Sequence, residues 1–164
     1  MTNSRVLLPK LSFGMDGRVQ LGMYAEWIRR FTRQDVMSFA QLTGDHNPLH
    51  LDEKLAALSG IGSDRNHEKI IVHGMLVGSM FGTIWGTYIP GSIYVRQTLD
   101  FKSPVFENDL IKATIRIDSF RRTRSSQRTI AVCSTLAENQ DNDSQVCIKG
   151  EAIVLLPEQI KVIS

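Results

Sequence analysis

The chain has 164 residues, of which 42% are hydrophobic and 22% charged, and its formal net charge is +2. This length and composition are typical of one compact soluble domain, and they exclude a disordered chain, a collagen-like repeat and a disulfide-rich scaffold. The small net charge gives no indication of nucleic-acid binding. Cys133 and Cys147 lack CxxC spacing and lie in strand-like segments, so we expect two reduced packing thiols.

The first 20 residues differ in character from the rest of the chain. They contain Arg5 and Lys10 but no acidic residue before Asp16, a weak likeness to an organelle-targeting segment. We therefore expect residues 1–20 to be an N-terminal extension and residues 21–164 to form a single domain.

Residues 70–90 are long and apolar enough to be compared with a membrane span, since about 20 apolar residues cross a bilayer. His73 is the one ionisable side chain in this stretch. His73 lies near one end of the stretch, however, and the chain that follows has the pattern of a soluble sheet. We therefore predict no membrane span.

The first predicted elements are a strand over 24–32 and a short amphipathic helix over 33–42. Thr32 is a typical N-cap residue, and apolar residues recur at helical spacing after it. Gly44 suits the left-handed conformation that ends many helices. The sequence TGDHNPLH therefore begins at the C-terminus of a helix.

Pro48 prevents a regular helix through residues 45–50, because it lacks an N–H group and disfavours the helical conformation of Asn47. We predict a loop of fixed shape there. Residues 51–58 are predicted to form another short helix, and residues 59–69 a polar, glycine-containing surface loop.

A longer helix is predicted over about residues 74–87, where every fourth position is glycine: Gly74, Gly78, Gly82 and Gly86. Each interior glycine destabilises a helix by about 1 kcal/mol relative to alanine, so we expect a neighbouring backbone or a ligand to approach this stripe closely. Large apolar side chains cover the remaining circumference. The pattern predicts a helix that is buried all round.

Four segments with strand character follow this helix, over 92–101, 109–120, 127–138 and 145–156. A sheet wrapped around the helix is the simplest way to bury an apolar helix in a domain of this size. The predicted fold class is therefore α+β.

Asp45 and His50 are the candidate chemical groups of the TGDHNPLH loop. A carboxylate beside an imidazole can accept and donate protons at one water molecule. The histidines of the chain together with Asp45 also offer metal ligands, but their spacing matches no zinc motif and Pro48 separates His46 from His50. A plain turn with a structural histidine is the third interpretation.

His73 and Gly74 begin the glycine-rich helix. A helix N-terminus offers unpaired N–H groups that suit an oxyanion or a thioester carbonyl. Gly74 would let a ligand reach its N–H, or it would belong to the packing stripe. We expect His73 to be a structural or orienting residue.

Three segments in the same order resemble one family. The first, FAQLTGDHNPLHLD (39–52), resembles the hydratase-2 motif of the MaoC-like, R-specific enoyl-thioester hydratases. The segments IVHGMLVGSMFG (71–82) and GSIYVRQTLDFKSPVFEND (91–109) resemble those that follow it in that family. The match runs from about residue 24 to residue 157.

The resemblance implies a hot-dog fold, an antiparallel sheet wrapped around a central helix, and the reversible hydration of trans-2-enoyl thioesters to (R)-3-hydroxyacyl thioesters. Asp45 and His50 take the positions of the family's catalytic pair, and Gly74 takes that of its oxyanion donor. Asn47 matches the motif's asparagine, which we expect to brace the loop. No metal or redox cofactor is expected.

The resemblance also bears on substrate recognition. Gly82 stands where some relatives have a serine near the acyl pocket, so we expect a wider pocket. Arg96 and the basic run over 121–128 are candidates for contact with the phosphates of coenzyme A or of a carrier-protein arm; for the basic run, a solvated hairpin is the alternative.

The family implies a homodimer whose substrate is an acyl-CoA or acyl-carrier-protein thioester. A likeness to the mitochondrial 3-hydroxyacyl-thioester dehydratases, together with the weakly basic N-terminus, favours mitochondrial fatty-acid synthesis over a cytoplasmic role. Two alternative functions stay open: a hot-dog thioesterase and a non-catalytic module that binds acyl thioesters.

Overall fold

The computed structural model describes residues 17–61, 69–123 and 128–163. Its helices are α1 (Arg33–Thr43), α2 (Glu53–Leu58) and α3 (Gly74–Tyr88), and a 3₁₀ turn covers Pro48–His50. Its strands are β1 (Arg18–Val19), β2 (Tyr24–Arg30), β3 (Ile93–Gln97), β4 (Asp100–Phe101), β5 (Leu110–Arg122), β6 (Thr129–Asn139), β7 (Gln145–Leu155) and β8 (Lys161–Val162).

The main sheet has six strands in the order β2-β5-β6-β7-β3, with β4 also paired to β7. All of its pairings are antiparallel. Strand β5 shows why such a strand forms: Ile111, Ala113, Ile115 and Ile117 alternate with more exposed residues, and all four are fully buried. The predicted α+β, hot-dog arrangement of a sheet around a central helix is confirmed.

Helix α1 has the ends that were predicted from its sequence. The Thr32 side chain accepts a hydrogen bond from the Asp35 N–H, and the Asp35 carboxylate accepts one from the Thr32 N–H. This reciprocal pair satisfies two of the N–H groups that a helix N-terminus leaves unpaired. Gly44 ends the helix in the left-handed conformation, with φ 79°. The start of the TGDHNPLH loop is therefore fixed by a helix end.

Helix α3 packs one face on the sheet and leaves the other exposed in the single chain. The buried face contains the large side chains of Val77, Met80, Phe81, Ile84 and Trp85. On the other face, Met75 is 59% exposed and Ser79, Gly82, Thr83 and Gly86 are exposed too. The prediction that this helix is buried all round was wrong, because the sheet covers only one side of it.

The glycine stripe is approached at only two of its four positions. A Cβ atom at Gly74 would lie 2.5 Å from the Phe101 ring, and one at Gly78 would lie 2.8 Å from the Leu99 side chain. Apart from the adjacent residues and backbone of α3 itself, no described atom lies within 4 Å of such an atom at Gly82 or Gly86. Side chains of the β3–β4 segment, rather than a neighbouring backbone, therefore require the first two glycines.

The predicted strand over 92–101 is interrupted at Thr98 and Leu99, which separate β3 from β4. Here the chain crosses Gly150 of β7, where an added Cβ would lie 1.8 Å from the Thr98 carbonyl oxygen. The sheet at this point depends on a glycine with no side chain. That crossing brings Phe101 to the N-terminus of α3.

The ends of the described chain form a small second sheet, in which β1 and β8 pair in parallel. Val19 of β1 is buried. Most of the predicted N-terminal extension over 1–20 lies outside the described residues, as do parts of the loop over 59–69 and of the basic run over 121–128.

Two further sequence predictions concern the thiols and the membrane. Cys133 and Cys147 are free and buried, as predicted, and burial raises the pKa of the Cys133 thiol to about 12. Over residues 17–61, 69–123 and 128–163, each helix is too short or too polar to cross a bilayer.

A buried polar pair supports the segment that precedes α3. The Asp109 carboxylate, 5% exposed, accepts hydrogen bonds from the fully buried Asn139 amide at 2.6 Å and from the Phe106 N–H at 3.1 Å. Phe106 forms an isolated β-bridge with Ile71. This pair therefore supports, through one bridge, the backbone that lies beside the TGDHNPLH loop.

We predict that Asn139→Ala lowers the free energy of unfolding by about 1–3 kcal/mol, because it removes the donor from a buried carboxylate. Asn142→Ala is the matched control, since the Asn142 amide bonds Gln145 at an exposed site and its loss should change stability by about 0.5 kcal/mol or less. Urea denaturation of both variants checks this. Equal stability losses would contradict the role given to the buried pair.

Candidate active site

The TGDHNPLH loop is held by its own side chains. The Asn47 side-chain oxygen accepts a hydrogen bond from the Leu49 N–H at 3.1 Å, which caps the 3₁₀ turn over Pro48–His50. Pro48 occupies the first position of that turn, where its missing N–H is not needed. The predicted loop of fixed shape is confirmed, and Asn47 and Pro48 are the residues that shape it.

His50 is tied to the backbone that precedes α3. Its Nδ1 lies 2.7 Å from the Ile71 carbonyl oxygen, and a carbonyl only accepts hydrogen bonds, so we assign the proton to Nδ1. In the neutral ring this leaves the Nε2 lone pair available. The contact therefore sets both the orientation and the tautomer of the imidazole.

Asp45 lies at the start of the same loop with its side chain 53% exposed. One carboxylate oxygen accepts a hydrogen bond from the Asn47 N–H at 3.2 Å. A carboxylate oxygen of Asp45 and a ring nitrogen from each of His50 and His73 all lie within 4.8 Å of one another. A water bonded to two groups at about 2.8 Å each spans up to about 5.5 Å, so one water can bridge Asp45 and His50.

His73 is buried beneath this pair, with only 2% of its side chain exposed. Its Nε2 lies 3.1 Å from the Asp45 carbonyl oxygen, to which it donates, and its ring stacks on the His50 ring with centroids 3.8 Å apart. Burial lowers the pKa of His73, and the neighbouring His50 charge lowers it further, against the opposing effect of Asp45.

Gly74 is the first residue of α3, so its N–H has no partner within the helix. The backbone there borders the same cavity as Asp45 and His50. Phe101 packs against the Gly74 α-carbon and is 56% exposed. The glycine is therefore required for packing as well as being suited to a ligand, and both interpretations of Gly74 fit the geometry.

These groups open onto one cavity of about 650 Å³. That volume is large enough for a drug-sized ligand. Its remaining described lining is mostly apolar, and it comprises Phe39, Thr43, Leu49, Ile61, Ile71, Val72, Met75, Val77, Phe101, Lys102, Ser103, Pro104, Val105 and Ile148. Such a lining suits an acyl chain with one polar end.

The three side chains Asp45, His50 and His73 are a potential metal-ligand set by distance alone. Their rings argue against a shared ion. Two imidazoles that bind one Zn²⁺ tetrahedrally at about 2.1 Å hold their ring centres about 5 Å apart, whereas these two rings stack at 3.8 Å. The arrangement therefore favours a proton-transfer site.

The structure brings four of the sequence-predicted site residues to the cavity: Asp45, His50, His73 and Gly74. Asn47 lies in the loop that carries the first two. Gly82 and Arg96 are exposed on α3 and β3, and neither is among the described residues that line the cavity. The roles expected for Gly82 and Arg96 stay predictions.

Phe101 is one of the lining residues that were not predicted from the sequence. Its position depends on the crossing of the chain over Gly150, and no local pattern signals that crossing. Phe39 and Thr43 line the cavity from the last turns of α1. Their spacing of four residues, which places them on one helix face, was a usable signal.

The chain is similar to several known proteins. A family model described as a MaoC-like domain matches residues 19–139. An (R)-specific enoyl-CoA hydratase from Aeromonas caviae is 37% identical over 141 residues, which cover 85% of this chain and 96% of that protein. A mitochondrial 3-hydroxyacyl-acyl-carrier-protein dehydratase from Arabidopsis thaliana is 37% identical over 129 residues, covering 79% of this chain and 72% of that protein.

Solved structures show the same likeness. An (R)-hydratase from A. caviae involved in PHA biosynthesis has a TM-score of 0.71 and 37% sequence identity to this chain. The similarity covers 85% of this chain and 98% of that one. With its fold, its TGDHNPLH loop and this extent of match, the chain belongs to the MaoC-like domain family.

Proposed function

We propose that the protein adds water reversibly to trans-2-enoyl thioesters and forms (R)-3-hydroxyacyl thioesters. The observation that carries this proposal is the convergence of Asp45, His50 and the Gly74 N–H on one apolar cavity. The relatives named hydratases and dehydratases support the same reaction. Its substrate class is an acyl thioester carried by coenzyme A or by an acyl-carrier protein.

Asp45 and His50 hold the water that reacts. In the hydration direction the pair accepts a proton from this water, its oxygen bonds C3 of the enoyl group, and a proton is returned to C2. The bond made at C3 and the bond made at C2 together consume one water molecule. General acid–base groups placed in this way typically accelerate a reaction by about 10²–10⁴-fold.

The Gly74 N–H acts on the other end of the conjugated system. Addition at C3 moves negative charge onto the thioester oxygen, which becomes an enolate. An unpaired N–H at a helix N-terminus stabilises that charge more than it stabilises the neutral carbonyl. The thioester itself acidifies C2, so this mechanism draws only on groups of the chain and the substrate.

Crotonyl-coenzyme A separates this reaction from the two alternatives. A hydratase removes the enoyl absorbance without releasing a thiol, whereas a thioesterase releases free coenzyme A. A non-catalytic module binds the thioester and leaves both signals unchanged. Either of the last two results would contradict the proposed reaction.

We predict that Asp45→Asn and His50→Gln each lower kcat by about 10²–10⁴-fold, because each removes one proton-transfer group. The variants keep similar shapes, so the Kd for a saturated acyl-coenzyme A should change little. His46→Gln is the matched control, since His46 lies in the same loop, is exposed and does not line the cavity. Unchanged kcat in the Asp45 and His50 variants would refute the assignment of these residues.

The role of the Gly74 N–H can be tested separately from the need for a residue without a side chain at position 74. Phe101→Ala removes the ring that a Cβ at position 74 would strike. In that background, Gly74→Ala keeps the N–H and Gly74→Pro removes it. Proline suits the first helical position, and His73 before it has φ −55° and ψ 126°, a conformation that proline accepts.

We predict that the double variant with proline has a kcat about 10²–10³-fold below that of the double variant with alanine, because only the former lacks the oxyanion donor. Steady-state assays with crotonyl-coenzyme A measure this ratio, and thermal melts confirm that both variants fold. Equal kcat values would mean that Gly74 serves packing alone.

The proposal includes a homodimer. Strand β3 is an edge of the main sheet, and its Ile93 and Val95 side chains are 52% and 55% exposed. An open edge with exposed apolar side chains is a ready site for strand pairing. Sedimentation at micromolar concentration should give twice the 18.4 kDa of the chain, and a monomer would contradict this part of the proposal.

The proposed setting is fatty-acid synthesis in mitochondria, where the protein would act as a dehydratase. The A. thaliana relative, which is named mitochondrial, supports it. We expect a higher kcat/KM for carrier-protein thioesters than for coenzyme A thioesters. We also expect isolated mitochondria to import the chain.

A further inference from the structure

We propose that His73 is a positioning residue that stays uncharged and carries its proton on Nε2. It holds Asp45, His50 and the Gly74 N–H in fixed positions relative to one another. This inference rests on the proposed hydration reaction, because it assigns His73 a part in arranging that site. It goes beyond the general expectation of an orienting histidine by naming the tautomer, the charge and the contacts through which His73 acts.

Three contacts of His73 lead to the three proposed groups. Its Nε2–H donates to the Asp45 carbonyl oxygen at 3.1 Å. Its ring lies against the His50 ring at a centroid distance of 3.8 Å and an interplanar angle of 29°. Its own backbone leads directly into Gly74 as the N-cap of α3. A displacement of His73 would therefore move Asp45, His50 and the Gly74 N–H relative to one another.

Burial makes these contacts rigid. The His73 side chain is 2% exposed, and the Phe39 ring contacts the His73 ring at a centroid distance of 5.0 Å. A side chain without free volume keeps one rotamer. The Asp45 side chain, by contrast, is half exposed, and the bond from His73 ties the Asp45 carbonyl oxygen to this buried ring.

The second ring nitrogen determines the charge. His73 Nδ1 is buried and has no hydrogen-bond partner among the described residues. A lone pair tolerates such surroundings better than an N–H does, because protonation would place an unpartnered donor and a charge in the interior. The burial that lowers the pKa of His73 acts in the same direction.

The neutral state matters because His50 is adjacent. The titratable side chains among the described residues that line the cavity are Asp45, His50, His73 and Lys102. A charged His73 would repel the proton that His50 gains when water is activated, at a ring separation of only 3.8 Å. An uncharged His73 leaves His50 free to accept that proton.

Two substitutions separate the hydrogen bond that His73 donates from the contact that its ring makes. His73→Gln retains a side-chain N–H for the Asp45 carbonyl but has no ring, and His73→Phe retains a ring beside His50 but has no N–H. We expect each to lower kcat by about 10- to 100-fold, the usual effect of displacing reacting groups by about 1 Å. KM should change by about threefold or less. His46→Gln in the same loop should match the unsubstituted protein.

The pH profile distinguishes a positioning residue from a proton-transfer group. Because a positioning residue does not itself exchange the reacting proton, His73→Phe should keep the limbs of the kcat/KM profile at the pH of the unsubstituted protein, at a lower plateau. If the substitution only unfolded part of the protein, the fraction of active sites would fall while kcat per folded site stayed unchanged. Titration of the sites with a tightly binding thioester measures that fraction. Loss of one limb in His73→Phe would show that His73 itself exchanges the proton, which would overturn the proposal.

Long-range ¹H–¹⁵N spectra of the histidine rings test the tautomer without an assay. The chain has four histidines, and the His73 signals are identified by their absence from His73→Phe. The expected pattern between pH 6 and 8, around the ordinary pKa of about 6.5, is a protonated Nε2 and a bare Nδ1. A cationic ring or a proton on Nδ1 would overturn the proposal.

This readout keeps the two proposals apart. A protein with the expected His73 tautomer but no hydration of any enoyl thioester would refute the proposed function alone. An active hydratase whose His73 variants retain kcat within about twofold would refute the positioning role alone.

Discussion

The hydrogen bond from His50 Nδ1 to the Ile71 carbonyl, at 2.7 Å, joins the two parts of the chain that make the site. One part is the loop after α1, and the other is the segment that enters α3. Ile71 is itself held by its N–H bond to Leu49 and by its bridge to Phe106. Because the bond also fixes the His50 tautomer, a single contact sets the orientation of the His50 ring and which of its nitrogens has a lone pair. Together with the bond from the Ile71 N–H to Leu49 and that from His73 to the Asp45 carbonyl, it fastens the loop to the N-terminus of α3.

Residue 74, at the start of α3, must meet two requirements. Phe101 requires that residue 74 have no side chain, and the proposed enolate requires an unpaired N–H there. Glycine meets both, but only the second demand concerns catalysis. The proposed role of His73 adds a third requirement, since its buried ring contacts both the Asp45 carbonyl and the His50 ring. Packing contacts therefore determine where the few polar groups of the site lie.

Local patterns in the sequence predicted most of the elements. Thr32 and Gly44 marked the ends of α1, and four segments of strand character marked β3 to β7, because caps and strand patterns are set within a few residues. The pairing of Asp45 with His50 was predicted from the loop, and that of Gly74 with them from the family resemblance. Contacts between distant segments were not predictable from sequence: Phe101 reaches Gly74 only because the chain crosses Gly150. The exposed face of α3 was also missed, because its glycines and its Met75 do not reveal which side the sheet covers.

Product analysis of crotonyl-coenzyme A hydration in D₂O tests the central claim most directly. The expected product is (R)-3-hydroxybutyryl-coenzyme A alone, with an intact thioester and one deuterium at C2 from the deuteron delivered to the enolate. Release of free coenzyme A, or a 3-hydroxy product of the S configuration, would contradict it.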